Sequence, residues 1–296
     1  METTDYMGQI ISVTVTDENE QDYFAQKDGV TFRIEKSEFD KPHQVTDAIT
    51  GFAYENEEHE LQLTTKLPMV KIGHYAWATV VASRRDLGVF VDIGLPNKDI
   101  VVSSDLLPTI HHLWPAKGDQ LLVSLIVDKK GRLWGQLADE DIFQEMAKKA
   151  TQQQNNSDVQ GIIYRLKIVG SFLLTDEKYI GFIHPSERDA EPRIGQKLKA
   201  RVIGVRPDGV LNLSLRPRAY EAISDDSAMI LAVLKHQPGN VMAYTDKSDP
   251  EAIREFFGIS KGQFKRALGH LMKLHLVEQA DGKTHLLGDP DQPDHA

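Results

Sequence analysis

Two short apolar pieces, Gly170-Ser171-Phe172-Leu173 and Gly181-Phe182-Ile183-His184-Pro185-Ser186-Glu187, constrain this chain more than any other feature. Both are short and apolar and are bounded by turn residues, so both read as strands. The first places an outward aromatic just after a glycine; the second ends in a His-Pro-Ser-Glu turn. Ile194-Gly195-Gln196 then leads into a strand over 198–205. A turn at Pro207-Asp208-Gly209 precedes a last strand over 210–215. Five short strands with this punctuation point to a small Greek-key barrel of the OB type, whose open face takes single-stranded nucleic acid.

The plan repeats upstream. Leu87-Gly88-Val89-Phe90 matches the glycine-aromatic strand, and residues 99–106 stand where the His-Pro-Ser-Glu stretch stands later. Strands at 121–127 and 133–137 flank the turn Asp128-Lys129-Lys130-Gly131-Arg132. Before that, strand-like pieces at 7–11, 23–25, 30–34, 48–54 and 61–64 outline another unit without the glycine-aromatic or His-x-Ser pattern. Residues 139–150, with Ile142, Phe143 and Met146 at helical spacing, read as a short helix, and 151–157 as a polar linker. After 218 the period changes to about 3.6. Met229, Ile230, Val233 and Leu234 form one helix face. Ser248 or Asp249 caps a second helix with Pro250 at its first position, and Ser260 caps a third from Lys261. A hairpin around Asp281-Gly282 follows. The expected segmentation is 1–66, 67–138, a helix and linker over 139–157, 158–216, 217–288, and a disordered polar tail over 289–296.

The net charge of −10 argues against a nucleic-acid binder until its distribution is examined. Residues 1–65 hold 4 Lys/Arg against 15 Asp/Glu, whereas 151–218 hold 11 against 7. Phosphate binding follows local potential, not the total. The opening stretch lies in the only clearly basic segment, and the first unit reads as a structural or protein-contact domain. With no cysteine there is no disulfide framework and no thiolate metal site, which fits a reducing cytoplasm. Met1-Glu2-Thr3-Thr4-Asp5 has no basic or apolar signal-peptide region, and no apolar run is long enough for a membrane span.

The order Gly-x-Phe, Gly-Phe-Ile-His-x-Ser-Glu and a closing Leu-Ser-Leu resembles the S1 RNA-binding domain. Helix, helix-turn-helix and hairpin resemble a winged helix. Three such units followed by a winged helix resemble the CvfB/YitL family, most tellingly over 246–271. The resemblance implies a mainly β chain with a C-terminal α+β domain: three tandem S1-like OB-fold barrels, then a winged helix. It also implies a non-catalytic, cytoplasmic RNA-binding protein acting on gene expression after transcription.

Single strands are held by stacking bases on aromatic faces while cations follow the phosphates. The S1 resemblance assigns those roles to Phe172 and His184, and Phe182 shares the face of His184 by alternation. Phe172 and Phe182 read equally as barrel core, and His184 as a turn cap. Arg206, Arg201, Lys167 and Arg165 are phosphate candidates or solvated strand cations, and Tyr164 is a further contact candidate. The third unit departs from the S1 pattern with Val169 at a second aromatic position, Arg206 at an acidic one and Val210 at a basic one. The second unit keeps Phe90, Asp128 and Arg132, with Val102 in place of the histidine and Leu87 in place of the second aromatic. Weaker binding is expected there, with Trp77 and Trp134 read as core packing ahead of surface platforms. In the first unit Tyr23, Phe24 and Phe32 sit in an acidic setting. Lys261, Lys265, Arg266 and Lys273 stripe the third helix of the last domain, with Arg254 and Lys283 as helpers; the stripe suits a nucleic-acid backbone or a solvated face.

No P-loop, dinucleotide fingerprint, Gly-x-Ser-x-Gly or His-Glu-x-x-His occurs, so no catalytic residues, cofactor or metal are expected. His111-His112 and the acidic run at 55–60 read as a loop pair and a solvated turn. The leading expectation is single-stranded RNA binding without strict sequence preference. The alternatives are a winged-helix DNA-binding transcription regulator, or an adaptor docking on the ribosome or RNA polymerase through the acidic first unit.

Overall fold

The computed structural model describes residues 3–216 and 225–287. The chain divides into two compact units, Met1–Leu215 and Arg216–Ala296. The expected tail, 289–296, and the start of the expected last domain, 217–224, lie outside the described residues.

The first unit holds three closed five-stranded barrels. The first is built from β1 (Ile10–Glu18), β2 (Asp22–Lys27), β3 (Val30–Glu35), β4 (Ala48–Glu55) and β5 (Leu61–Thr64). The second uses β6 (Ala76–Arg84), β7 (Gly88–Asp92), β8 (Ile100–Ser103), β9 (Gln120–Val127) and β10 (Leu133–Leu137). The third uses β11 (Asp158–Lys167), β12 (Gly170–Thr175), β13 (Ile180–Ile183), β14 (Lys197–Val205) and β15 (Leu211–Ser214). All three share one topology: the first strand pairs with the second and fourth, and the third pairs in parallel with the fifth. Each first strand is also bulged at the same place, at Val15/Asp17, Val80/Ala82 and Ile163/Arg165. A bulge bends the strand and re-aims the residues beyond it.

Alternation builds the cores. Ile11, Val13 and Val15 point inward from β1, and Leu173, Ile183, Leu211 and Leu213 from the third barrel. Each such fully buried aliphatic contributes about 1.5–3 kcal/mol. The barrels are fused through their flanks. Phe52 and Tyr54 of the first barrel join the core of the second, as does Ile194 from the third. Tyr54 donates its hydroxyl to Asn97 at 2.9 Å. Arg193 grips Asp119 through two nitrogens, at 3.1 and 3.2 Å.

The helix expected over 139–150 is shorter. α1 (Glu140–Met146) starts at Asp139, whose carboxylate accepts from the Ile142 amide. Beyond Met146 the chain extends onto the third barrel, where the Lys148 amide donates to Lys178 and that of Ala150 to Gly209. The 151–157 segment is bonded too: Asn156 donates to Val202 and Gln152 to Val205. Its amides and side chains find β14, so it is no free linker. Trp77 packs on Phe143 at 6.2 Å in the seam between the second and third barrels.

The second unit contains α2 (Asp225–His236), β16 (Val241–Met242), α3 (Pro250–Phe257), α4 (Lys261–Lys273), β17 (Val277–Ala280) and β18 (Lys283–Leu286). Asp249 caps α3 ahead of Pro250, and Ser260 with Gln263 forms a capping box on α4. Ile230, Leu234, Ile253, Phe264, Leu268 and Leu271 make the core. β16 is too short to show alternation in the sequence; it pairs with β18. This is a winged-helix arrangement. Among the described residues no helix is long and apolar enough to cross a membrane.

Candidate nucleic-acid interface

In the third barrel, strand register sets Arg165, Phe172, Phe182 and Asn212 opposite one another across β11, β12, β13 and β15. Their neighbours Leu173, Ile183 and Leu213 fill the core, so this row lies on the outer face. The rings of Phe172 and Phe182 are 5.1 Å apart; Tyr164 lies 6.4 Å from Phe172, and His184 6.4 Å from Phe182. Four rings thus form one run. Tyr164 supplies the second aromatic that Val169 lacks, from the neighbouring strand.

Phe182 is buried, 9% exposed, though it lies outside the inward cluster of Leu173, Ile183, Leu211 and Leu213. The Arg206 guanidinium covers it at 4.4 Å while donating to Asn212 at 2.9 Å. Gly170 permits this packing. Its φ is +149°, and a Cβ there would lie 2.6 Å from the Phe182 ring and 2.4 Å from the Ile183 carbonyl. His184 is exposed and also caps a turn: its Nδ1 accepts from the Ser186 amide at 3.2 Å. An amide can only donate, so the proton of the neutral ring sits on Nε2. The turn-cap reading of His184 holds, and the cap leaves the ring exposed.

Lys167 places its ammonium 5.4 Å from the Phe172 ring centre. Glu140 of α1 holds Lys167 at 2.8 Å and Arg165 at 3.2 Å. From the same helix Phe143 stacks on Tyr164 at 3.9 Å with planes 16° apart. α1 therefore closes one end of the ring run. Burial, and next the Glu140 charge, push the Tyr164 hydroxyl up to about 12. Arg201 stands apart, opposite Asp158 and Ser214, with its Nε buried and without a hydrogen-bond partner. Sequence reasoning missed Arg188, whose largely buried side chain donates to the Ser171 hydroxyl and to Glu191 at 2.9 Å.

The second barrel carries Ala82, Phe90, Val101 and Trp134 in the equivalent row. Val102 is fully buried and matches Ile183, so it does not replace the histidine. Ser103 does: it sits opposite Gly88 and caps the following turn by accepting from the Asp105 amide. The Ser103-x-Asp105 capping signature is the sequence signal that aligns them. Trp134 is not in the core either. Half-buried, it donates to Asp128 at 3.2 Å and lies 5.4 Å beneath the Arg132 guanidinium. Arg132 holds the Asp128 carboxyl well below the usual carboxylate range. Phe90, Arg132 and Trp134 line a groove of about 450 Å3 that Glu55, Glu57 and Asp99 also border. Burial, with Asp92 and Glu57, pushes the Asp99 carboxyl up.

In the first barrel the row reads Asp17, Phe24, Arg33 and Gln62. Tyr23 and Phe32 are core; Phe24 alone of the three faces outward. Arg33 is tied to Glu60 at 2.9 Å and forms an ion pair with Asp22 at 3.0 Å, outside hydrogen-bonding alignment. In the second unit Lys265, Arg266 and Lys273 of α4 are exposed and Lys261 half-buried; Lys265 lies 3.9 Å from Asp246. Arg254 and Lys283 are exposed as well.

Residues 143–217 match the family described as virulence regulatory factor CvfB, second domain, and 75–136 match the CvfB first S1-like domain. Residues 228–286 match the CvfB-like winged helix domain, and 7–66 the S1 domain. The S1 likeness therefore extends to the first barrel despite its missing motifs. The chain is 40% identical to the uncharacterized protein YitL of Bacillus subtilis, over 94% of this chain and 93% of that protein. It is 38% identical to conserved virulence factor B of Staphylococcus epidermidis, over 82% of this chain and 81% of that protein. A crystal structure of a multidomain protein with nucleic acid binding domains from Streptococcus pneumoniae is 48% identical. It covers 95% of this chain and 99% of its own, with a TM-score of 0.69.

Proposed function

The chain belongs to the CvfB family, and from that premise we propose that it is a non-catalytic single-stranded RNA-binding protein regulating gene expression after transcription. Its domains are of nucleic-acid-binding types. The observation that carries the reading is the ring run of Tyr164, Phe172, Phe182 and His184, with Lys167 and Arg206 set over it. Flat rings take bases of any sequence, and the two cations follow the backbone. The regulatory role follows the description of the matched family, a virulence regulatory factor.

A second reading rests on α4, where Lys265, Arg266 and Lys273 are exposed on a winged helix. Such a helix suits the phosphates of duplex DNA. A salt-titrated comparison of single-stranded RNA, single-stranded DNA and duplex DNA separates the two. Tightest binding to single-stranded RNA, with a slope near 0.7 per phosphate contact, supports the first reading; preference for duplex DNA overturns it.

A further inference from the structure

A groove of about 440 Å3 lies between the second and third barrels. One wall is the loop after β8, with Leu106 and Ile110. The other is the β11–β12 hairpin and the turn after β13, with Arg165, Lys167, Ile168 and Arg188. We propose that this groove binds the continuation of the RNA strand that stacks on the third barrel, so that two barrels share one track. The inference rests on the RNA-binding reading above.

Three observations carry it. First, the walls are fixed relative to each other. The Ile194 amide donates to the Leu113 carbonyl at 3.1 Å, the Gln120 amide donates to Gly195 at 2.9 Å, and Arg193 clamps Asp119. A preformed cleft binds without a large ordering cost. Second, the groove is continuous with the ring run. Lys167 belongs to both, and Arg188 holds Ser171, the neighbour of Phe172. Third, the walls offer what a nucleotide needs. Ile168 is 101% and Ile110 51% exposed, an apolar surface for a base or ribose left uncovered beside three cations. Among the described residues those cations pair with Glu140 and Glu191, which hold them in place until a phosphate arrives. An acidic peptide would meet the same cations, but the stacking rings at the groove's edge favour RNA.

The test compares oligouridylates of about 4 and about 10 nucleotides, within the site sizes of OB folds, on the full chain. The wild type is expected to bind the longer strand more tightly and with a steeper salt slope. Ile110→Asp, on an exposed loop, is expected to weaken the longer strand about tenfold, the cost of roughly 1.4 kcal/mol, and to leave the shorter unchanged. Arg188→Gln should flatten the slope for the longer strand by about 0.7. Equal binding of both lengths by the wild type, or equal effects of Ile110→Asp on both, overturns the shared track while the stacking face stands. Failure of the wild type to bind either strand sinks the RNA reading itself.

Discussion

The first and third barrels have the same strand order and the same bulge, yet opposite outer faces. Where the third barrel sets Arg165, Phe172, Phe182 and Asn212, the first sets Asp17, Phe24, Arg33 and Gln62. One row beyond, Lys167 and Gly170 answer to Asn19 and Asp22, and His184 to Glu35. The backbone that presents a run of aromatic rings in one barrel presents an ion-paired acidic surface in the other. The single cation of the first row is held by Asp22 and Glu60, and 15 acidic residues in 1–65 repel phosphates. The fold supplies positions; the residues on the outward row decide what chemistry they present. The second barrel lies between these extremes, with Phe90 and Trp134 available but bordered by Glu55, Glu57 and Asp99.

The largest effect is expected from Phe172→Ala with His184→Ala. Losing two stacking surfaces, each worth about 1–3 kcal/mol, should weaken short single-stranded RNA at least about thirtyfold. Unchanged affinity with an intact circular dichroism spectrum would remove the third barrel from its role. In the first barrel Arg33→Ala should leave RNA affinity alone but cost about 2 kcal/mol of stability, because Asp22 stays buried without its partner. Urea denaturation of the full chain measures this. Arg206→Gln should lower the salt slope by about 0.7 and bare the Phe182 ring; an unchanged slope means that Arg206 packs and does not contact phosphate. The smallest effect belongs to Glu60→Gln: affinity should move by less than about twofold, since a rim charge on a remote face acts only through screened potential. A larger gain would show that the acidic barrel holds RNA away.

Much of this was legible in the residues. Period-two alternation and the glycine-aromatic pairing located the strands, and Asp249-Pro250 and Ser260 located the helix starts. Phe172 and His184 were readable because they lie in short local motifs. The rest depends on register and on distant contacts. One place of register decides whether Val102 or Ser103 matches His184, and alternation cannot choose between neighbours that each suit a strand. Trp134 looked like core because a large aromatic on a strand usually is. Only the parallel pairing of β8 with β10 puts it beside Phe90. Tyr164 joins the run through a bulge, and Arg188 acts through Ser171, 17 positions away in sequence. Neither relation leaves a local mark.

Ultraviolet crosslinking of a uridine-rich single-stranded RNA to the full chain, with adducts mapped by mass spectrometry, tests the contrast between barrels most directly. Adducts are expected at Tyr164, Phe172, Phe182 and His184, with few at Phe24. Adducts concentrated at Phe24, or on α4 with the third barrel unmarked, would contradict the assignment.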